Sequence, residues 1–337
     1  MSATLNLPQW LTRVPAPWLA AGVCLLTLSP AVAQWKPEKR VEFIVPSGPG
    51  GGNDRVARLV QKIIQDGRLV NVVTTVVNKP GGGAAIGYAY LNQHPGDGHY
   101  LALTSVTLIA DYLTGRASVS HADMTPVAQL FSEYLGFGVR PDSKFKTAKD
   151  LLAALKSDAG SVSAAISTSL GNHNHIALGL VTRAAGGDPR KLRTAVFNSG
   201  GDSLTAVLGG HVDLVVIPAA TALPQVQGGR LRFIAVTSPR RLEGPLADVP
   251  TWREMGANAV VSNWRVMLGP KGMTPPQVAY WENVLGRVVQ SDEWRNMLER
   301  DVVTGEFKRS AETREFIKAQ YEELKGVLTE LGLVKQP

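Results

Sequence analysis

From Val41 onward, short β-branched runs alternate with stretches whose apolar residues recur every three or four positions. Val41–Val45 reads as a strand closed by Pro46, after which Val56, Leu59, Val60, Ile63 and Ile64 fall on one face of a helix over 54–64. Strands over 72–77 and 100–104 flank a helix through Tyr88 and Leu91. The pattern then restarts, with a long strand over 128–139, a helix over 148–156, a strand over 162–166 and a helix over 175–185. Segments 194–197, 203–208, 212–217 and 231–237 continue the alternation, 260–268 is another extended run, and 277–289, 293–300 and 311–331 are helical. Repeated strand–turn–helix units predict an α/β chain of parallel sheets with helices on both faces.

The length favours two lobes over one continuous body. The extended runs 128–139 and 260–268 are the crossings, which places 35–138 and 262–337 in the first lobe and 139–261 in the second. Ahead of them, 1–33 has the layout of a cleaved secretory signal. Arg13 is its single charge, an apolar core runs over 18–28, and Ala31-Val32-Ala33 offers small residues before Gln34. Export to the periplasm is therefore expected.

Composition narrows the function. Mean hydropathy is zero and 44% of residues are hydrophobic, so the chain is too apolar for disorder and too evenly mixed for a membrane bundle. Its one Cys, Cys24, lies in the segment expected to be removed, which excludes a disulfide framework and a Cys-based zinc site. Cleavage takes the net charge from +7 to +6. Without a basic run, and with export expected, that surplus points to anionic small molecules rather than nucleic acid.

Four loops carry the candidate chemistry, each between a strand and a helix. Ser47, Gly48, Gly51, Gly52 and Asn53 form the first, and Gly82, Gly83 and Ala84 the second. Glycines there let backbone N–H groups approach a ligand, and a helix N-terminus adds partial positive charge. Two such turns on neighbouring parallel strands converge at the strands' carboxyl ends, where together they suit a carboxylate without a formal positive charge. The third loop, with Thr168, Ser169, Asn172 and His173, is dense in hydroxyls and amides; helix capping is the competing role for Asn172. The fourth brings Ser199, Gly200 and Gly201, with Asp202 starting a helix.

Several chemistries are excluded by spacing. Gly48-x-Gly50 is followed by Asn53 where a dinucleotide fingerprint needs Gly or Ala, and the next strand ends at Asn78 rather than at an acid. Neither a P-loop nor Gly-x-Ser-x-Gly occurs, and His173 and His175 do not have metal-site spacing. Asp54, Asp97, Asp123 and Asp213 read as turn or cap residues. Binding without turnover, cofactor or metal is the expectation. An exported α/β enzyme such as an esterase, or a ligand-presenting sensor subunit, remain the alternatives.

These segments resemble the tripartite tricarboxylate transporter substrate-binding family, also called the Bug family of extracytoplasmic solute receptors. The resemblance rests on Val45 to Asp54, Asn78 to Gly87, Pro95-Gly96-Asp97-Gly98-His99-Tyr100, Leu208-Gly209-Gly210-His211-Val212-Asp213, Ile234-Ala235-Val236-Thr237-Ser238 and Asp248-Val249-Pro250-Thr251. It implies a two-lobed periplasmic-binding-protein (Venus flytrap) fold of type II-like form. It also implies a monomeric receptor that hands a small tricarboxylate or dicarboxylate to the membrane subunits of a tripartite transporter. Carried onto this chain, the two Gly loops, with Ser105, would hold one carboxylate, and the loops around 167–175 and 199–201 would set specificity. Asn263-Trp264-Arg265 is similar to the tricarboxylate-receptor branch. Asn53 departs from the aromatic or hydroxyl residue of many relatives, and apolar Ile217-Pro218-Ala219-Ala220 from their polar, acidic segment. These departures leave room for an aromatic or aliphatic dicarboxylate in place of citrate.

Overall fold

The structure is a computed structural model that describes residues 35–335 except Gly83, Thr168, Ser169 and Asn198. The expected leader over 1–33 lies outside these residues, as do three of the candidate ligand-binding residues, Gly83, Thr168 and Ser169.

The first sheet starts from three parallel strands, β1 (Val41–Val45), β2 (Thr74–Asn78) and β3 (Tyr100–Ser105), with β1 in the middle. Helices α1 (Gly52–Asp66), α2 (Ala85–Asn92) and α3 (Thr107–Leu113) follow them in turn. The apolar stripe read from the sequence is the buried face of α1, where Val56, Val60, Ile63 and Ile64 pack on the sheet. Next comes β4 (Met124–Val139), whose 16 residues serve two sheets. Its first part, to Tyr134, pairs antiparallel with β9 (Ser262–Pro270) and β10 (Thr304–Arg309). From Leu135 onward it pairs instead with β7 (Leu214–Pro218) and β8 (Arg232–Val236).

The second sheet continues through β5 (Ser163–Ser167) and β6 (Arg193–Phe197), both parallel to their neighbours. Its helices are α4 (Ala148–Asp158), α5 (His173–Ala184), α6 (Gly200–Leu208) and α7 (Ala219–Gln227). The chain returns along β9, which lies between β3 and β4, and ends in α8 (Pro275–Val289), α9 (Asp292–Asp301), β10 and α10 (Ser310–Glu330).

The expectation of parallel sheets needs correcting, because both sheets are mixed. β4 and β9 run antiparallel to each other and to the parallel strands they meet. Chain passing out through β4 and back through β9 imposes that reversal. Close packing of the second sheet on β4 depends on two glycines: a Cβ on Gly136 would lie 2.2 Å from the Phe233 ring, and one on Gly138 would lie 2.8 Å from Leu231. A continuous apolar cluster joins the sheets, with Leu135, Phe137 and Trp264 buried together with Ile44, Ala102, Ile166 and Leu214. Phe43, Trp281 and Trp294 belong to a second cluster on the first sheet. No helix among the described residues is long and apolar enough to cross a membrane.

Candidate ligand-binding site

Parallel pairing puts Val45 opposite Asn78, so β1 and β2 end level and release both glycine loops at one edge of the first sheet. A single buried carboxylate fastens the two loops together. Asp54 accepts the Gly50 N–H at 2.8 Å, the Asn78 Nδ2 at 2.9 Å and the Arg58 Nε at 3.0 Å. Asn78 Nδ2 also donates to the Ser47 carbonyl at 3.1 Å. Burial works to raise the Asp54 pKa, but the bonds from Arg58, Gly50 and Asn78 hold it down at about 2. Asp54, expected to be a turn or cap residue, is therefore the tie between the loops.

Close approach is built into the loop backbones as well. A Cβ on Gly87 would lie 2.6 Å from Pro46 Cβ, so α2 meets the first loop only because residue 87 lacks a side chain. Ala84 caps α2 in the left-handed region at φ 70°, a conformation that costs a non-glycine residue energy. Gly82 shares that region at φ 58°. Ser47, Gly48, Gly52 and Asn53 are half-buried, and Gly51 and Gly82 are exposed. Ser105, at the end of β3, is buried, with its hydroxyl 3.1 Å from Thr107 Oγ1.

A formal positive charge stands at the first loop, contrary to what the glycines alone suggest. Arg265, on β9, is 6% exposed, and a Cβ on Gly52 would lie 2.9 Å from its Nη2. The guanidinium thus presses on the first residue of α1. Glu133 on β4 pairs with Nη2 at 2.7 Å, Nη1 donates to the Asn263 and Trp264 carbonyls, and the group lies over the Phe131 ring. Arg265 Nε and Asn263 Oδ1 are buried without a hydrogen-bond partner. A guanidinium beside a helix N-terminus is a favourable place for an anion, and orphaned buried polar atoms call for a ligand or water. The signal in the sequence was an Arg inside one apolar crossing strand and a Glu inside the other.

From the second sheet, His173 reaches the same neighbourhood. Burial and the Arg265 charge lower its pKa to about 3, so its ring is neutral, and its sealed Nδ1 has no partner. The third loop is anchored to the first sheet's side, where Arg116 Nη1 donates to the Leu170 carbonyl at 2.8 Å. Asn172 caps α5 by accepting the His175 N–H at 3.0 Å, while its amide donates to the Ser167 carbonyl. Asn174 Nδ2 donates to Ser167 Oγ at 3.1 Å. Ser199 caps α6 by accepting the Asp202 N–H at 3.1 Å and stays exposed, as does Gly201. Gly200 packs on Thr221 and Ile217 of its own sheet. The structure therefore brings Gly52, Arg265, Glu133 and His173 together. No cluster of His, Cys, Asp and Glu suited to a metal ion occurs among the described residues.

Residues 56–333 match the model of the tripartite tricarboxylate transporter family receptor. The chain belongs to that family. Its receptors are periplasmic substrate-binding proteins for small carboxylates that serve tripartite transporters. Protein BugT of Bordetella pertussis is 26% identical over 309 residues, covering 90% of this chain and 93% of BugT. A TctC solute-binding protein from Polaromonas superposes with a TM-score of 0.75 at 25% identity, over 88% of this chain and 99% of that one. Rpa4515 of R. palustris, solved with adipate, superposes with a TM-score of 0.75 at 20% identity, over 88% and 99%. The receptor's fold is the two-lobed periplasmic-binding-protein fold of these relatives.

Proposed function

We propose that this receptor, exported by cleavage before Gln34, captures a small dicarboxylate or tricarboxylate and delivers it to the membrane subunits of a tripartite transporter, without turnover. One lobe, 35–138 with 262–337, supplies the two glycine loops and Arg265. The other, 139–261, supplies His173 and the polar loops around 167–175 and 199–201. The ligand-bound receptor is a monomer. Adipate in a relative of the same fold favours an aliphatic dicarboxylate.

The observation that carries the reading is the buried Arg265 guanidinium against the N-terminus of α1, with Nε unpartnered and Glu133 as its counter-charge. One carboxylate accepts from the guanidinium and the loop amides; charge-assisted bonds of this kind are the strong ones. The test is calorimetric titration of the mature protein with adipate, succinate, malate, citrate and terephthalate, repeated on Gly52→Glu. That variant puts the protein's own carboxylate beside Arg265 at a helix start that tolerates acids. Saturable binding of one of the acids, weakened ~100-fold or more in the variant, is expected. Absence of binding for every acid, or equal binding by the variant, removes the reading.

A further inference from the structure

A cavity lies on the opposite side of β4 from Arg265. Successive side chains of a strand point to opposite faces. Glu133 turns to Arg265, and its neighbour Tyr134 turns to a cavity of about 700 Å3. That volume is in the range of small-molecule sites. One wall comes from the segment that leaves β8, with Ser238, Arg240 and Leu242. The facing wall comes from α9 and β10, with Leu298, Val302 and Glu306. β8 belongs to the second sheet and β10 to the first, so the cavity is formed between the two, where β4 passes from one to the other.

Its walls are chemically unlike. Ser238 is 2% exposed, and its Oγ has no hydrogen-bond partner. Arg240 makes no hydrogen bond or ion pair among the described residues, whereas neighbouring Arg241 is held by Glu254 at 2.9 Å. Burial and the Glu306 carboxylate both raise the Tyr134 pKa, and the Arg240 charge opposes them, which places Arg240 toward the phenol. The second sheet's wall thus offers an unpaired cation at Arg240 and a free hydroxyl, with the exposed Glu243 following them along the chain. The first sheet's wall offers carboxylates. Glu306 accepts from Tyr134 Oη at 3.2 Å, Ser132 Oγ at 2.8 Å and Gln129 Nε2 at 3.1 Å and lies 3.6 Å from Lys308 Nζ, whereas Glu299, which also lines the cavity, is exposed and makes no ion pair among the described residues. Both walls also carry apolar side chains, Leu242 on one and Leu298, Val302 and Val303 on the other. Val302 is held at φ 49°, ψ 49°, a costly conformation for a β-branched residue and one that recurs at binding sites.

We propose that this cavity is a second binding site, for a zwitterion with an apolar body: an apolar amino acid whose carboxylate meets Arg240 and Ser238 and whose ammonium meets Glu299 and Glu306. It is separate from the carboxylate site, and the two share none of the residues named for either.

The test is calorimetric titration of the mature protein with L-phenylalanine, N-acetyl-L-phenylalanine and L-phenylalaninamide. L-Phenylalanine is expected to bind saturably, and loss of either charged end to weaken it by about tenfold or more. Arg240→Ala and Ser238→Leu should each weaken it comparably while leaving adipate titration unchanged, and Gly52→Glu should leave it intact. No saturable binding of L-phenylalanine overturns the proposal. Loss of binding in Gly52→Glu does so too, by assigning the amino acid to the carboxylate site. Equal binding of the two capped derivatives would replace a zwitterion site with a merely apolar one and equally overturns it.

Discussion

Asp54 and Arg265 are both buried charges, with opposite consequences for stability and binding. The folded pKa of Asp54, about 2, lies below its ordinary 3.8, so its contribution is complete above about pH 4 and is lost as pH falls toward 2. The shift corresponds to about 2 kcal/mol. Asp54→Asn should lose about that much at pH 7 and show a flatter loss below pH 4, measured by urea unfolding. For Arg265, removing one partner of a buried pair strands the other charge, so Arg265→Gln should destabilise by about 3–5 kcal/mol. Arg265→Gln with Glu133→Gln should recover most of that stability but not carboxylate affinity, which separates packing from binding by unfolding and titration of the same variants. Residue types alone marked the two glycine turns between strand and helix as candidates, although such turns also form for purely conformational reasons. They did not reveal Asp54, whose three partners come from three segments, or Arg265, whose role depends on the register of β9 beside β4.

Among the elements, those with a strong apolar period were legible. α1, α4, α8 and α10 begin and end within a few residues of the expected bounds, and the crossing runs are β4 and β9. Three elements went unread. β10 (Thr-Gly-Glu-Phe-Lys-Arg) is polar and only half-buried, α3 has seven residues, and α7 carries Pro224 inside it. In each case tertiary packing supplies what local pattern lacks. The glycines of β4 are packing positions of the same kind. Gly136→Ala should cost about 1–3 kcal/mol by overpacking Phe233, read as a lower urea midpoint. Gly48→Ala, which meets nothing within 4 Å, is the matched control and should stay within about 0.5 kcal/mol.

For the whole molecule, acid should act in two stages. His175 is 6% exposed, accepts the Gly171 N–H at Nδ1, and is depressed by burial to about 4. The unfolded chain takes up a proton near pH 6.5 that the folded one refuses until about pH 4. Stability therefore falls across that window, by about 3 kcal/mol for this residue, and levels off below it. His173, neutral in the folded state until about pH 3, adds to the same fall, and Asp54 joins it from pH 4 to 2. Urea unfolding at half-unit steps from pH 7 to 2.5 should show the upper stage reduced in His175→Gln, with the remainder belonging to His173. The two-sheet division was visible in the sequence as a restart of the strand–helix rhythm after the third strand. The mixed strand directions were not, because hydrophobic pattern is blind to direction.

β4 also makes the molecule's mechanics specific. Its 16 residues run unbroken from one sheet into the other, and β9 is laced to it over nine residue pairs from Met124 to Tyr134. A joint made of paired strand resists folding like a door and yields instead by winding, as a torsion bar does. Motion between the sheets would then turn Glu133 and Tyr134 together, so a molecule wedged behind the bar would stiffen the jaws in front of it. Amide protons from Ser132 to Phe137 should accordingly exchange as slowly as those of the sheet interiors, even while the glycine loops exchange fast.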